Sequence, residues 1–154
     1  LEDAVEEIIK RGLGLNLEIK PCPGREKETA EVALDHLSQI WDDHERLLIS
    51  SFAPVSLETA RDMANDWYRG LLLWHDDMPP DWKDLVDYLE VVSVNIRDQL
   101  DEREFIEDLI DFDKLALVYT VNDGQRARQL QSWGVDALFT DAPDVIQESI
   151  LTVH

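Results

Sequence analysis

The residues best suited to chemistry stand in one short run, Leu15-Asn16-Leu17-Glu18-Ile19-Lys20-Pro21. Asn16, Glu18 and Lys20 alternate with Leu17 and Ile19, and a period of two puts the three polar side chains on one face of a strand. That face is either the solvated side of an edge strand or the lining of a barrel mouth. Glu18 two residues from Lys20 would set a hard oxygen ligand for a divalent cation beside an ammonium that attracts phosphate. Other polar residues compete for attention. Asn95 in Val92-Ser93-Val94-Asn95, and Asn122, stand near the ends of apolar blocks, where they either touch a ligand or hold turns through side-chain to backbone hydrogen bonds, and turn duty is the expectation for both. Asp141 is placed to cap a helix beginning at Pro143. His75-Asp76-Asp77 reads as a solvated acidic loop before Pro79-Pro80, because adjacent residues seldom converge on one ion. His36 and His44 fall in a long helix as surface residues, and His154 ends the chain. Cys22 lies just after Lys20, with no histidine spaced to activate it as a nucleophile.

Such residues need elements to hold them. Six short blocks rich in apolar and β-branched residues recur, Leu15–Ile19, Leu48–Phe52, Leu71–Trp74, Val92–Ile96, Leu115–Val121 and Ala137–Thr140. Helical spacing fills the intervals at about 1–11, 28–43, 56–66, 81–88, 101–111, 124–132 and 143–150. This alternation predicts βα units around a parallel sheet. The first step is the longest because it holds the loop from Pro21 to Thr29. Ser56 is read as the capping hydroxyl of the third helix, and Pro143 suits a first helical turn. Gly12, Gly70 and Gly134 are read as stops between a helix and the next strand. Continuous apolar strands must be covered on both faces, as an open doubly wound sheet or a closed barrel. A complete (β/α) barrel of eight units typically needs roughly 250 residues, so 154 residues supply about six. In either architecture function gathers at the C-terminal strand ends.

Composition narrows the partners. Against 34 acidic residues stand 14 basic ones, a formal net charge of −20, which repels phosphate backbones and anionic lipid. Nucleic-acid binding and membrane docking are therefore disfavoured, and an anionic ligand needs a local positive centre. Apolar residues make up 44% of the chain and tryptophans number five, so it folds around a core as one domain over residues 1–154. No apolar run approaches the 18 or so residues of a membrane span. One cysteine forms no internal disulfide, which suits a reducing cytoplasm. The helical pattern begins at Leu1 without an initiator Met, as in a piece of a longer chain.

Four stretches in order, Leu17-Glu18-Ile19-Lys20-Pro21, Leu48-Ile49-Ser50-Ser51-Phe52, Tyr119-Thr120-Val121-Asn122 and Trp133-Gly134-Val135-Asp136-Ala137-Leu138-Phe139-Thr140-Asp141-Ala142-Pro143-Asp144, resemble the glycerophosphodiester phosphodiesterase family. The opening Leu1-Glu2-Asp3-Ala4 is similar to that family's helix before its E-I-K strand. The resemblance implies a TIM-type (β/α) barrel in which a divalent cation, Mg²⁺ or Ca²⁺, helps split glycerophosphodiesters into glycerol 3-phosphate and an alcohol, in lipid and glycerol metabolism. It implies that Glu18 is a metal ligand and that Lys20 contacts the phosphate. Tyr119 stands where the family usually has Trp in W-T-V-N, as an aromatic wall with an added hydroxyl, and Phe52 would line the same pocket. Family members carry, ahead of this region, an H-R-G strand end, an E-x-D pair and a second histidine, none of which is present here. The chain alone is thus expected to be inactive, and to need the missing N-terminal barrel segment or self-association. The alternatives are a non-catalytic binding or regulatory module derived from the barrel, and an aldolase-like enzyme with Lys20 as Schiff-base former.

Overall fold

The computed structural model describes residues 1–74, 80–98 and 103–151. The chain divides into two compact units, Leu1–Leu72 with Asp84–Val92, and Leu73–Lys83 with Ser93–His154.

The first unit runs α1 (Glu2–Lys10), β1 (Leu15–Glu18), α2 (Glu26–Ile40), a 3₁₀ turn at His44–Arg46, β2 (Leu47–Ser51), α3 (Pro54–Met63) and β3 (Tyr68–Leu73, whose last residue counts with the second unit). Most of α4 (Trp82–Tyr88) also belongs to it. β1 pairs parallel with β2, and β2 with β3. Parallel neighbours need a crossover, and α2 and α3 supply them. The core forms where Leu47 and Ile49 of β2 and Ile19, just after β1, meet Val5 of α1, Ala30, Leu34 and Leu37 of α2, and Ala60 of α3, together with Trp41 and Trp67. Every one of these is buried.

A charged residue lies against this apolar core. Arg69 in β3 is 3% exposed. Its Nε donates to the Leu89 carbonyl at 3.1 Å, Nη1 to the Trp67 and Asn65 carbonyls at 2.8 and 3.1 Å, and Nη2 to the Glu90 carbonyl at 3.2 Å. Burial pushes its guanidinium below the usual value, while the Glu90 carboxylate, 3.6 Å away, opposes that shift and Arg61 adds to it. One side chain thereby ties the turn before β3 to the turn after α4.

The second unit runs β4 (Ser93–Arg97), α5 (Arg103–Asp111), β5 (Leu115–Tyr119), α6 (Gly124–Ser132), β6 (Ala137–Leu138) and α7 (Pro143–Leu151). β4 pairs parallel with β5, and β5 with β6. One sheet face sends Val94, Ile96, Ala116 and Val118 into burial, and the helices contribute buried Ile106, Leu109, Ala127, Leu130 and Ile146. Gly134 ends the turn after α6 at φ +94, and a Cβ there would meet Ile110 Cδ1 at 2.8 Å, so both backbone and space require glycine. The Asp123 side chain caps α6, its Oδ1 accepting from the Arg126 amide at 2.8 Å.

All six expected strands form, and the parallel α/β architecture is as read. Three local expectations fail. α3 begins at Pro54, and Ser56 is no cap: its hydroxyl donates to the Glu26 carbonyl of α2 at 3.1 Å. Gly70 lies inside β3 rather than before it, because the strand starts at Tyr68. α2 stops at Ile40, which leaves His44 in the 3₁₀ turn.

Candidate active site

In the first unit the strand ends carry the pattern read from the sequence. The registers Asn16–Leu48–Tyr68 and Glu18–Ser50–Gly70 put Asn16 and Glu18 on the face opposite the helix-packed core, since side chains in register share a face. Glu18 closes β1 and Lys20 follows two residues on; both are exposed. Neither makes a hydrogen bond or ion pair with another described residue. The backbone beneath them is fixed. Ile19 donates its amide to the Ser50 carbonyl at 2.7 Å, and the buried Ser51 hydroxyl donates to the Ile19 carbonyl at 2.6 Å while accepting from the Ala53 amide at 3.1 Å. Ser51 thus couples the end of β1 to the turn into α3, and half-buried Phe52 sits on that turn. Ser50, in register with Glu18, is fully buried and its Oγ has no partner. The loop after Lys20 is held by Gly24, at φ +81, whose amide donates to Glu26 Oε1 at 2.9 Å and holds that carboxyl below the usual range.

In the second unit Arg97 ends β4, in register with Tyr119 at the end of β5. The Tyr119 hydroxyl donates to the Leu73 carbonyl at 2.8 Å, and Trp74, the next residue, meets the Tyr119 ring edge-on with centroids 6.5 Å apart. The Arg97 guanidinium lies 5.2 Å from the Trp74 ring centroid. Arg126 of α6 pairs with Asp98 at 2.7 Å. Asn122 does turn work as expected, its Oδ1 accepting from the Thr140 hydroxyl at 3.0 Å and the Asp141 amide at 2.9 Å. Asp141 is not the cap of α7; its carboxylate accepts from Asn122 Nδ2 at 3.1 Å, and the Ala142 amide donates to Thr140 Oγ1 instead. Asn95 corrects the other expectation. It lies within β4, fully buried, accepting from the Ser93 hydroxyl at 2.9 Å, with its Nδ2 unpartnered.

The remaining candidates have other occupations. His36 reaches Glu2 at 3.0 Å and His44 reaches Asp66 at 3.7 Å beside the Trp67 ring. Cys22 is a free, exposed thiol. His75, Asp76, Asp77 and His154 lie outside the described residues. Among the described residues no three His, Cys, Asp or Glu side chains gather where they could hold a metal ion. The residues present therefore fit one ligand of a hard divalent cation, Glu18, and not its coordination sphere, which needs several oxygens. Sequence reasoning passed over Arg97, although its position one residue beyond the block ending at Ile96 marks it as a strand-end cation.

The family model described as "Glycerophosphoryl diester phosphodiesterase family" matches residues 1–145. Among solved structures, an Oleispira antarctica phosphodiesterase in complex with the product sn-glycerol-3-phosphate is 32% identical, with a TM-score of 0.91 over 99% of this chain and 61% of that one. A glycerophosphodiester phosphodiesterase from Parabacteroides distasonis shares the fold at 15% identity, with a TM-score of 0.80 over 98% of this chain and 63% of that one. The chain thus spans about three fifths of the length of these structures. No curated protein matches the sequence. None of the described helices is long and apolar enough to cross a membrane.

Proposed function

The chain belongs to the glycerophosphoryl diester phosphodiesterase family, and from that membership we propose that it is part of an enzyme that hydrolyses glycerophosphodiesters to glycerol 3-phosphate and an alcohol. In this reading both units belong to one TIM-type barrel domain with about six of its eight βα units in these residues. The observation that carries the proposal is the pair at the end of β1: an exposed carboxylate and an exposed ammonium, both engaged by no other described residue, at the strand end where barrel enzymes place their function. The Oleispira antarctica relative, solved with sn-glycerol-3-phosphate, supports the product assigned.

The roles follow from charge. Lys20 holds the phosphodiester anion. It is a local positive centre in a chain of net charge −20, and without one a phosphate would be repelled. Phe52 and Tyr119 supply apolar walls for the carbon skeleton. Glu18 contributes one ligand to a divalent cation, Mg²⁺ or Ca²⁺, whose remaining ligands, like the acid/base histidines, come from outside these residues. When bound, such an ion stabilises the charge that develops as an ester bond breaks. A cytoplasmic location is part of the same proposal, supported by the single free thiol.

The experiment is product identification by phosphorus NMR, using the full polypeptide that contains this chain and glycerophosphoethanolamine as substrate. Glycerol 3-phosphate with free ethanolamine is the expected pair. Release of phosphoethanolamine with glycerol would mean that the other ester bond breaks and would overturn the reading. Lys20→Ala is expected to raise KM about tenfold, the weight of one charge-assisted phosphate contact, with a smaller change in kcat. An unchanged KM would remove Lys20 from the phosphate.

A further inference from the structure

The geometry points to a recognition site, at the C-terminal ends of β4 and β5, for an alcohol that carries a carboxylate. It is built from Arg97, Trp74, Tyr119 and Asn95, and it rests on the phosphodiesterase reading above, which it extends to the choice of substrate.

The site is assembled in layers on one sheet face. Asn95 and Arg97 are two residues apart in β4 and so face the same way, with Tyr119 beside Arg97 in register. Tyr119 is anchored through its hydroxyl to the Leu73 carbonyl, and Trp74 stands edge-on against its ring. These two rings make an apolar wall. The Arg97 guanidinium lies over the Trp74 ring at 5.2 Å, an arrangement that occupies its flat face and leaves its in-plane N–H groups available. A carboxylate fits that edge, because its two oxygens match two parallel guanidinium N–H groups. No carboxylate among the described residues pairs with Arg97, although the chain carries 34 acidic residues.

Asn95 adds an independent sign. Its amide is fully buried, one hydrogen bond comes to it from Ser93, and its Nδ2 has no acceptor. A buried donor left without a partner costs about 1–3 kcal/mol. A ligand oxygen reaching below Arg97 would supply the acceptor.

The chemistry of the substrate then decides what binds. In a glycerophosphodiester the glycerol is neutral, so any anion beyond the phosphodiester itself is carried by the alcohol. An alcohol bearing only an ammonium would find the Trp74 face already covered by a guanidinium of like charge. A serine-like alcohol satisfies Arg97; a choline-like one is repelled.

Glycerophosphoserine and glycerophosphoethanolamine differ only by the carboxylate, which makes them the test pair for the full polypeptide. The serine diester is expected to show a kcat/KM about tenfold higher, the discrimination one charge-assisted fork supplies in a solvated site. Arg97→Ala should collapse that ratio toward one, and Arg97→Lys, which keeps charge but loses the planar fork, should fall between. A parent enzyme that does not prefer the serine diester, or an Arg97→Ala variant in which both substrates fall equally, overturns the site; the second result would assign Arg97 to the phosphodiester or to the fold. If neither diester is hydrolysed, the phosphodiesterase reading fails, and calorimetric binding of the same two compounds decides the site separately. Tighter binding of the serine compound that is lost in Arg97→Ala supports it, and equal binding overturns it.

Discussion

Replacing Glu18 with glutamine is expected to lower kcat for glycerophosphodiester hydrolysis at least about 100-fold, since even residues that merely orient a metal's ligands are worth about 10–100-fold. Glutamine keeps the shape and size of the side chain and removes its charge, so the change tests the ligand role alone. The fold should not respond. Glu18 is exposed and makes no hydrogen bond or ion pair with another described residue, and surface substitutions of that kind usually stay within about 0.5 kcal/mol. Turnover measured beside a thermal melt separates the two effects. A variant that retains turnover within about threefold of the parent would take Glu18 out of the site, and one that melts much earlier would show a structural role instead.

The largest effect on stability should come from Arg69→Met. Methionine fills a similar volume, yet it donates nothing to the Leu89, Trp67, Asn65 and Glu90 carbonyls that the guanidinium now satisfies. Breaking one side of a buried charged network costs about 3–5 kcal/mol, against a total stability of about 5–15 kcal/mol for an ordinary protein. The melting temperature should drop by on the order of 10 °C or more. Far-ultraviolet circular dichroism during heating reads this directly. A variant that melts within about 2 °C of the parent would mean that water replaces the guanidinium at those carbonyls.

The fold was legible because its signal is periodic. Apolar runs such as Ala116–Val118 and Leu71–Leu73 are buried on both sides, as parallel strands must be, and Asn16-Leu17-Glu18 announced a strand with one polar face. What failed was local chemistry decided by tertiary contact. Ser56 has the residue type of a cap, but the hydroxyl is spent on the Glu26 carbonyl of a neighbouring helix, a pairing that sequence spacing does not encode. β3 begins at Tyr68 because its register with Leu48 extends it past Gly70. Arg69 lies outside the apolar block read from the sequence, and only the convergence of carbonyls from two turns explains its burial. The site divides in the same way. Alternation put Glu18 and Lys20 on one strand face and left edge and mouth open until the family resemblance favoured the mouth, whereas Arg97 and Trp74 stand 23 positions apart in sequence and become a pair only once the chain has folded.

In the proposed function these residues hold part of a phosphodiester hydrolase, with Glu18 and Lys20 in its site and the remaining metal ligands and acid/base groups supplied from elsewhere. Glycerol 3-phosphate release from glycerophosphoethanolamine tests it most directly, measured for the 154-residue chain alone and for the polypeptide completed with the family's N-terminal βα units, each with and without chelator. Release is expected from the completed polypeptide only, and chelator should abolish it. Chelator-sensitive release by the chain alone would contradict the proposal by showing that the catalytic groups are already present, and an inactive completed polypeptide would contradict it in favour of a module that binds without catalysing.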